Sequence, residues 1–262
     1  MRRNKMRELL RDGKPSLGTH VLCTWPALAE VIGETGLFDY VQFDSTYSPY
    51  DLYALENLAR AINLFGHMSS VMKVDQEPRT YLAQRAIGSG IQNILFADVR
   101  SVQDAELCVR IVRPETPEGK GIYGCGARRD CYYGREAGSS DYIKALNDVV
   151  VMLMIEKKEA LDNLEEILAV KGVDMVTFGY CDYSMSIGVP SQRRHPQVLA
   201  AERRIIETAI RMGVTPRAEI DTLDQAKYYL DLGVRHLCIG WDLVILRDWW
   251  KVNGEALRKL IS

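Results

Sequence analysis

The chain has 262 residues, 47% of them hydrophobic and 26% charged, an ordinary globular composition that excludes a mainly disordered or fibrous chain. Lys and Arg (33) nearly balance Asp and Glu (35), leaving a formal charge of -2, so neither a dedicated nucleic-acid binder nor a polybasic membrane binder is expected. The length admits one large α/β domain or two small ones, and no apolar window nears the ~18 residues of a membrane span.

Met1 to Lys14 carries charges throughout and leads into no secretory apolar segment. A strand is then predicted at Leu17 to Cys23, a helix at Ala27 to Thr35, a strand at Tyr40 to Phe43 and a helix at Asp51 to Leu64. The alternation continues with a strand at Ser70 to Val74, a helix at Arg79 to Ile87, a strand at Asn93 to Phe96 and a helix at Ser101 to Val112. Ser101 with Asp104 is a helix-start signal. A long insertion follows, Glu115 to Ser140, rich in Gly, Arg and Tyr. Loops of that length are functional or disordered, and this one suits either a surface contact or closure over a substrate. Beyond it come strands at Val149 to Ile155, Met175 to Phe178, Thr215 to Ile220 and His236 to Ile239. The helices Lys158 to Val170, Pro196 to Met212 and Asp221 to Leu232 lie between them. The tail from Trp241 carries three Trp residues and a long apolar face, expected to pack as a helix on its own barrel or to meet another subunit.

Runs such as "VVVMLMI" are continuously apolar, the mark of parallel strands covered on both faces. Eight strands alternating with helices in one chain of this length predict a single (β/α)8 TIM barrel spanning residues 1–262. A doubly wound open sheet is the alternative, but no GxGxxG or GxxxxGK[ST] loop supports a nucleotide site. The six cysteines are scattered and only Cys125 and Cys131 are close neighbours, without a zinc-spaced histidine. Free thiols in a reducing, cytoplasmic setting are therefore expected.

Barrel chemistry belongs at the carboxyl ends of the strands, where this chain has His20, Asp44, Lys73, Asp98, Glu156, Asp182, Glu219 and Asp242. Glu156 and Asp182 follow neighbouring strands, whose ~4.8 Å separation lets two carboxylates share one cation. Oxygen ligation favours Mg²⁺ or Mn²⁺. The competing structural roles are a helix cap for one carboxylate and a salt bridge for the other. Arg217 and Glu219 share a face of the seventh strand, as a buried ion pair or a substrate contact. Arg128 and Arg129, beside Tyr132 and Tyr133, are either solvated or a clamp for a second carboxylate. His67 and His236 read as packing or surface residues, and Met152 and Met154 as core.

Together "PSLGTHVL", "AEVIGETGLFDYVQFDSTYSPYD", "ILFADVRSVQDAE", "MIEKKEALDNLEEILAVKGVDMVTFGYCDYSMSIG" and "HPQV" resemble the HpcH/HpaI aldolase family. These are class II aldolases that handle pyruvate enolates on a metal-bearing (β/α)8 barrel, and the likeness covers almost the whole chain. It implies Glu156 and Asp182 as metal ligands, with the amides of Cys181 and Asp182 holding the carboxylate of a 2-oxo acid. It also implies a homo-oligomer, trimer or hexamer, built through terminal helices. The departures are specific. The family's Asp-x-Glu-His is Asp44-Ser45-Thr46-Tyr47 here, and the Asp of its Leu-Asp-x-Gly falls at Gly88. Its arginine after the third strand is Lys73, its glutamine before the metal glutamate is Met154, and its first-strand tryptophan is His20.

Metal carboxylates and a carboxylate cradle bind a 2-oxo acid and stabilise its enolate. The missing His/Asp pair moves protons, typically worth ~10² to 10⁴ in rate. Three readings follow: an aldolase whose relay has moved to Tyr47, Lys73, His20 and Asp44; an oxaloacetate-type decarboxylase, which needs no hydroxyl base; or a degenerate barrel that only binds. Lys73 is expected at the carbonyl or enolate oxygen, and a Schiff base at Lys73 is the minor variant. Tyr47 is expected to titrate below the ordinary phenol range beside a metal and a lysine.

Overall fold

The computed structural model describes residues 3–126, 129, 133 and 135–261. Eight parallel strands close into a barrel in sequence order. They are β1 (Ser16–Val21), β2 (Tyr40–Asp44), β3 (Ser69–Val74), β4 (Asn93–Phe96), β5 (Val151–Ile155), β6 (Met175–Phe178), β7 (Thr215–Ile220) and β8 (His236–Trp241). The helices are α1 (Lys5–Arg11), α2 (Pro26–Glu34), α3 (Leu52–Ile62), α4 (Arg79–Ser89), α5 (Val102–Val112) and α6 (Ser140–Asn147). After β5 come α7 (Lys158–Asp162) and α8 (Leu164–Leu168), then α9 (Tyr180–Ser186), α10 (Pro196–Met212), α11 (Leu223–Asp231) and α12 (Asp242–Ile261). Each of the eight predicted strands is present, with ends shifted by at most two residues. No helix among the described residues is long and apolar enough to cross a membrane.

The barrel is filled rather than hollow. Met6, Val71, Leu95, Met152, Met154, Met175 and Cys238 meet in its lumen, while a larger apolar layer lies between strands and helices. Tyr40 lies so close over Gly18 that a Cβ there would meet the ring at 2.1 Å, so only glycine fits at that point of β1. β1 and β8 close the circle from Ser16↔His236 through Gly18↔Cys238, with a register shift before His20↔Trp241. Asp242 secures that seam. Its carboxylate accepts from Leu22 N at 3.0 Å and from Cys23 N at 2.9 Å, so this strand-end acid is structural.

One expectation needs correction, and two further segments find their places. The charged start, for which no element was predicted, forms α1 and seals the barrel floor, with Met6 fully buried and Arg7 gripping Asp174 at 2.6 and 2.7 Å. The tail does not pack on its own barrel: α12 leaves it after Asp242, with Trp249 and Trp250 each 62% exposed. Twenty residues of straight helix carry the apolar face outward, beyond the reach of the parent sheet. The described part of the long insertion lies on the outer face, bound by Tyr123 Oη to Gln84 O and by Tyr142 Oη to Gly124 O, and it lines no part of the strand-end cavity. That placement favours the surface reading of the insertion over closure within one subunit.

His236 begins β8, buried against Ser16 Oγ at 2.8 Å. Burial, helped by Arg217, pushes its pKa down to about 4. The folded protein thus keeps a neutral imidazole where an unfolded chain takes up a proton near pH 6.5. Its contribution is complete above pH 6.5 and is lost as pH falls from there towards 4, up to roughly 3 kcal/mol. His236→Gln is expected to flatten the acid limb of a denaturation-midpoint profile across that window; an unchanged slope would refute the assignment.

Candidate active site

A cavity of about 150 Å³ opens at the carboxyl end of the barrel. Tyr47, Lys73, Glu156, Cys181, Asp182 and Glu219 all line it, with Trp241 as one wall. Period-two alternation explains the convergence, because the inward positions of β2, β3 and β7 carry Asp44, Lys73 and Glu219, and Glu156 continues the inward alternation just past β5.

Glu156 stands directly after β5 and is 4% exposed. Burial pushes its pKa up to about 7 against the pull of Lys73 and the Asp98 amide, and Asp182 pushes the same way as burial. Its Oε1 accepts from Asp98 N at 2.6 Å. Gly179 makes room for it, since a Cβ there would lie 2.5 Å from Glu156 Oε2. Asp182, in the first turn of α9, is more open and accepts from Lys157 Nζ at 2.8 Å. A buried carboxylate destabilised as an anion and a second carboxylate in the helix after the next strand suit a hard divalent cation. No group of three or more ligating His, Cys, Asp or Glu residues occurs among the described residues. A cation held there would find two protein carboxylates, those of Glu156 and Asp182, and would need water or substrate oxygens to complete its shell. The first-turn amides of Cys181 and Asp182 face no backbone acceptor, as expected at a helix start.

Lys73 is 5% exposed, and its Nζ donates to Tyr47 Oη at 3.3 Å. Burial works against its charge, but Asp44, Glu219, Tyr47 and Glu156 outweigh burial and raise the pKa above the ordinary lysine value. Lys73 thus stays an ammonium, suited to an oxyanion and not to imine formation. Tyr47 departs from expectation. Burial raises its phenol pKa more than Lys73 lowers it, so it is a neutral hydroxyl at physiological pH.

His20 and Asp44 lie behind the cavity wall. His20 stacks on Trp241 with ring centroids 4.4 Å apart and donates from Nδ1 to Gly240 O, 2.9 Å away. Burial opposes the imidazolium, yet Cys238 and the Glu219 carboxylate, 3.4 Å from Nε2, hold its pKa well above the usual value. Asp44 accepts from Gln42 Nε2 at 2.7 Å, leaving Oδ2 buried without a partner. Burial raises its pKa, opposed by His20 and Lys73. Buried Arg217 and half-buried Glu219 form an ion pair at 2.9 Å, and Glu219 also faces the cavity. Arg217 is fixed further by Tyr40 Oη at 2.8 Å and Gln42 Oε1 at 2.5 Å. Arg128 lies outside the described residues.

Arg193, Tyr229 and Glu202 are cavity residues that sequence reasoning missed. Pairing of β6 with β7 ends at Thr177↔Arg217, and the cavity runs into the opening beyond it. Arg193 stacks over Tyr180 at 4.4 Å and donates to Tyr229 Oη, which donates to Glu202 at 2.6 Å. The sequence offered only the Arg193-Arg194 pair before His195-Pro196 as a signal.

A model of the HpcH/HpaI aldolase/citrate lyase family matches residues 17–247. The chain belongs to that family. As an HpcH/HpaI member it is an aldolase-type carbon-carbon lyase. It is 29% identical over 257 residues to a 2-keto-3-deoxy-L-rhamnonate aldolase of Escherichia coli strain K12, covering 94% of this chain and 90% of the relative. Its fold matches a crystal structure of an HpcH/HpaI aldolase/citrate lyase family protein from Burkholderia cenocepacia J2315 (TM-score 0.87, 26% identity, 99% and 100% of the two chains). The citrate synthase SbnG shares the fold at 21% identity, TM-score 0.85, over 99% of this chain and 100% of that one.

Proposed function

We propose that this HpcH/HpaI member cleaves a hydroxylated 2-oxo acid through a pyruvate-like enolate, with Mg²⁺ or Mn²⁺ held by Glu156 and Asp182. The observation that carries the reading is the buried Glu156 carboxylate, sharing one cavity with Asp182 and the Lys73 ammonium. When bound, the divalent cation supplies positive charge for the developing enolate. The chain does the rest. The amides of Cys181 and Asp182 donate to the substrate carboxylate, and Lys73 places a fixed positive charge against the oxo or enolate oxygen. Tyr47 faces the cavity and is hydrogen-bonded to Lys73, so its neutral hydroxyl would protonate the enolate carbon and be reprotonated from solvent, while the substrate hydroxyl gives up its proton to water. Asp44, with its raised pKa and unpaired Oδ2, and His20 hold charge behind it. The rhamnonate-derived substrate in the Escherichia coli relative's name supports a hydroxylated 2-oxo acid.

One observation favours a second reading. A neutral Tyr47 is a poor base, and decarboxylation of an oxaloacetate-like acid needs none. The test is to strip metal with a chelator, restore Mn²⁺, and follow a 2-keto-3-deoxy sugar acid and oxaloacetate. Metal-dependent pyruvate with aldehyde supports cleavage, and CO₂ without aldehyde supports decarboxylation. Neither product, together with no Mn²⁺ binding, sinks both.

The exposed apolar face of α12 supports a homo-oligomer, trimer or hexamer, in which that helix covers a neighbouring barrel. Sedimentation equilibrium of the full chain is expected to show a multimer, and a monomer at micromolar concentration would exclude it.

A further inference from the structure

The residue after the buried Glu156 is Lys157, to which the chemistry above gives no part. Its ammonium donates to Asp182 Oδ1 at 2.8 Å and lies 3.7 Å from Asp98 Oδ1, with its side chain 17% exposed. Both partners border Glu156. Asp98 gives its backbone N–H to Glu156 Oε1, and Asp98, Glu156, Lys157 and Asp182 line one depression at the strand ends. Asp98 holds its place with a left-handed backbone, φ 53°, which an L-residue adopts only under constraint. Arg100, 3.1 Å from Asp98, helps to position that carboxylate. One of the two carboxylates available to a divalent cation is thus already neutralised by a cation that belongs to the chain.

We propose that Lys157 is a tethered counter-ion, resting on Asp182 in the metal-free protein and retreating to Asp98 when a divalent cation takes Asp182. This rests on the metal reading above and adds to it a built-in cause of weak, readily exchanged metal. A nearby ammonium repels an arriving dication, and a carboxylate in a charge-assisted hydrogen bond must first give up that bond. Neutralising the lysine removes both obstacles. The four-carbon stem lets the ammonium move between two acceptors without shifting the backbone. Glu156, already fixed by the Asp98 amide, stays where it is. Lys157 is therefore a positioning residue that acts through Asp182.

Mn²⁺ binding to the chelator-stripped full-length protein, read from the EPR signal of free Mn²⁺, tests this without turnover. Lys157→Gln is expected to bind Mn²⁺ about tenfold more tightly than wild type, the scale on which groups around first ligands act. Lys157→Arg, which keeps the charge, is expected to stay near wild type. Asp98→Asn is expected to weaken binding more when Lys157 is present than in the Lys157→Gln background, because only the former needs the second anchor. Binding by Lys157→Gln with none by wild type also supports the counter-ion. Equal or weaker binding by Lys157→Gln overturns it. If wild type binds, Glu156→Gln abolishes binding and Lys157→Gln leaves it unchanged, the counter-ion falls and the metal reading stands. If no variant binds, both fall.

Discussion

Glu156→Gln is expected to lower kcat/KM by on the order of 10³ while leaving the metal-free protein as stable as wild type, or more so. The two halves have one cause. Glu156 is buried, and burial has already lifted its pKa to about 7. An ionised carboxylate there is costly to the fold unless a cation compensates it. A glutamine keeps the same shape and its Oε1 still accepts from Asp98 N, so the local hydrogen bond survives. What disappears is the negative charge that holds a cation against the substrate. Removing one preorganised charge-stabilising group costs about 10² to 10³ in other enzymes, and losing a metal ligand belongs at the upper end. Steady-state kinetics with saturating Mn²⁺ and a thermal melt in chelator check the two halves separately. Activity within about threefold of wild type would remove Glu156 from the mechanism.

Arg217→Met is expected to destabilise the fold by about 3 to 5 kcal/mol, the usual cost of breaking a buried ion pair from one side. Arg217 is 3% exposed and binds Tyr40 Oη, Gln42 Oε1 and Glu219 Oε1 at once. Without it the Glu219 carboxylate keeps Gln42, His20 and the charge of Lys73, and Gln42 loses the partner of its carbonyl. The double variant Arg217→Met with Glu219→Gln is expected to recover most of the loss, because the orphaned charge goes too. Urea denaturation of the two single variants and the double closes the cycle. Equal losses for Arg217→Met alone and for the double variant would mean that packing, and not charge, sets the stability of this layer. Activity of the double variant reports separately on whether Glu219 has a part in the cavity beyond neutralising Arg217.

The barrel was legible because parallel strands covered on both faces read as unbroken apolar runs, and such runs recur along this chain at helix-sized intervals. Much of the polar interior was legible by the same arithmetic. Tyr40, Gln42 and Asp44 alternate on β2, and Arg217 and Glu219 alternate on β7, so each set shares one face. Sequence spacing cannot tell whether an inward residue faces a cavity or stands behind one. His20 is covered by Trp241 on β8, which only closure of the barrel brings to β1, and Asp44 by Gln42 on its own strand and Lys73 on the next. Tyr47 misled because its neighbour Lys73 was read as the dominant influence, whereas burial of the phenol is larger. The opening helix was hidden by its charges. Arg7 looks solvated in sequence and is instead spent on Asp174 and two backbone carbonyls far along the chain.

That floor helix also sets an order of events during synthesis. α1 leaves the ribosome before any strand, yet Arg7 waits 167 residues for Asp174, and Asn4 waits 144 for the carbonyl of Asp148. Until β5 and β6 have emerged, Met6 has no lumen to enter, and a segment made before every strand of the barrel is among the last to be locked.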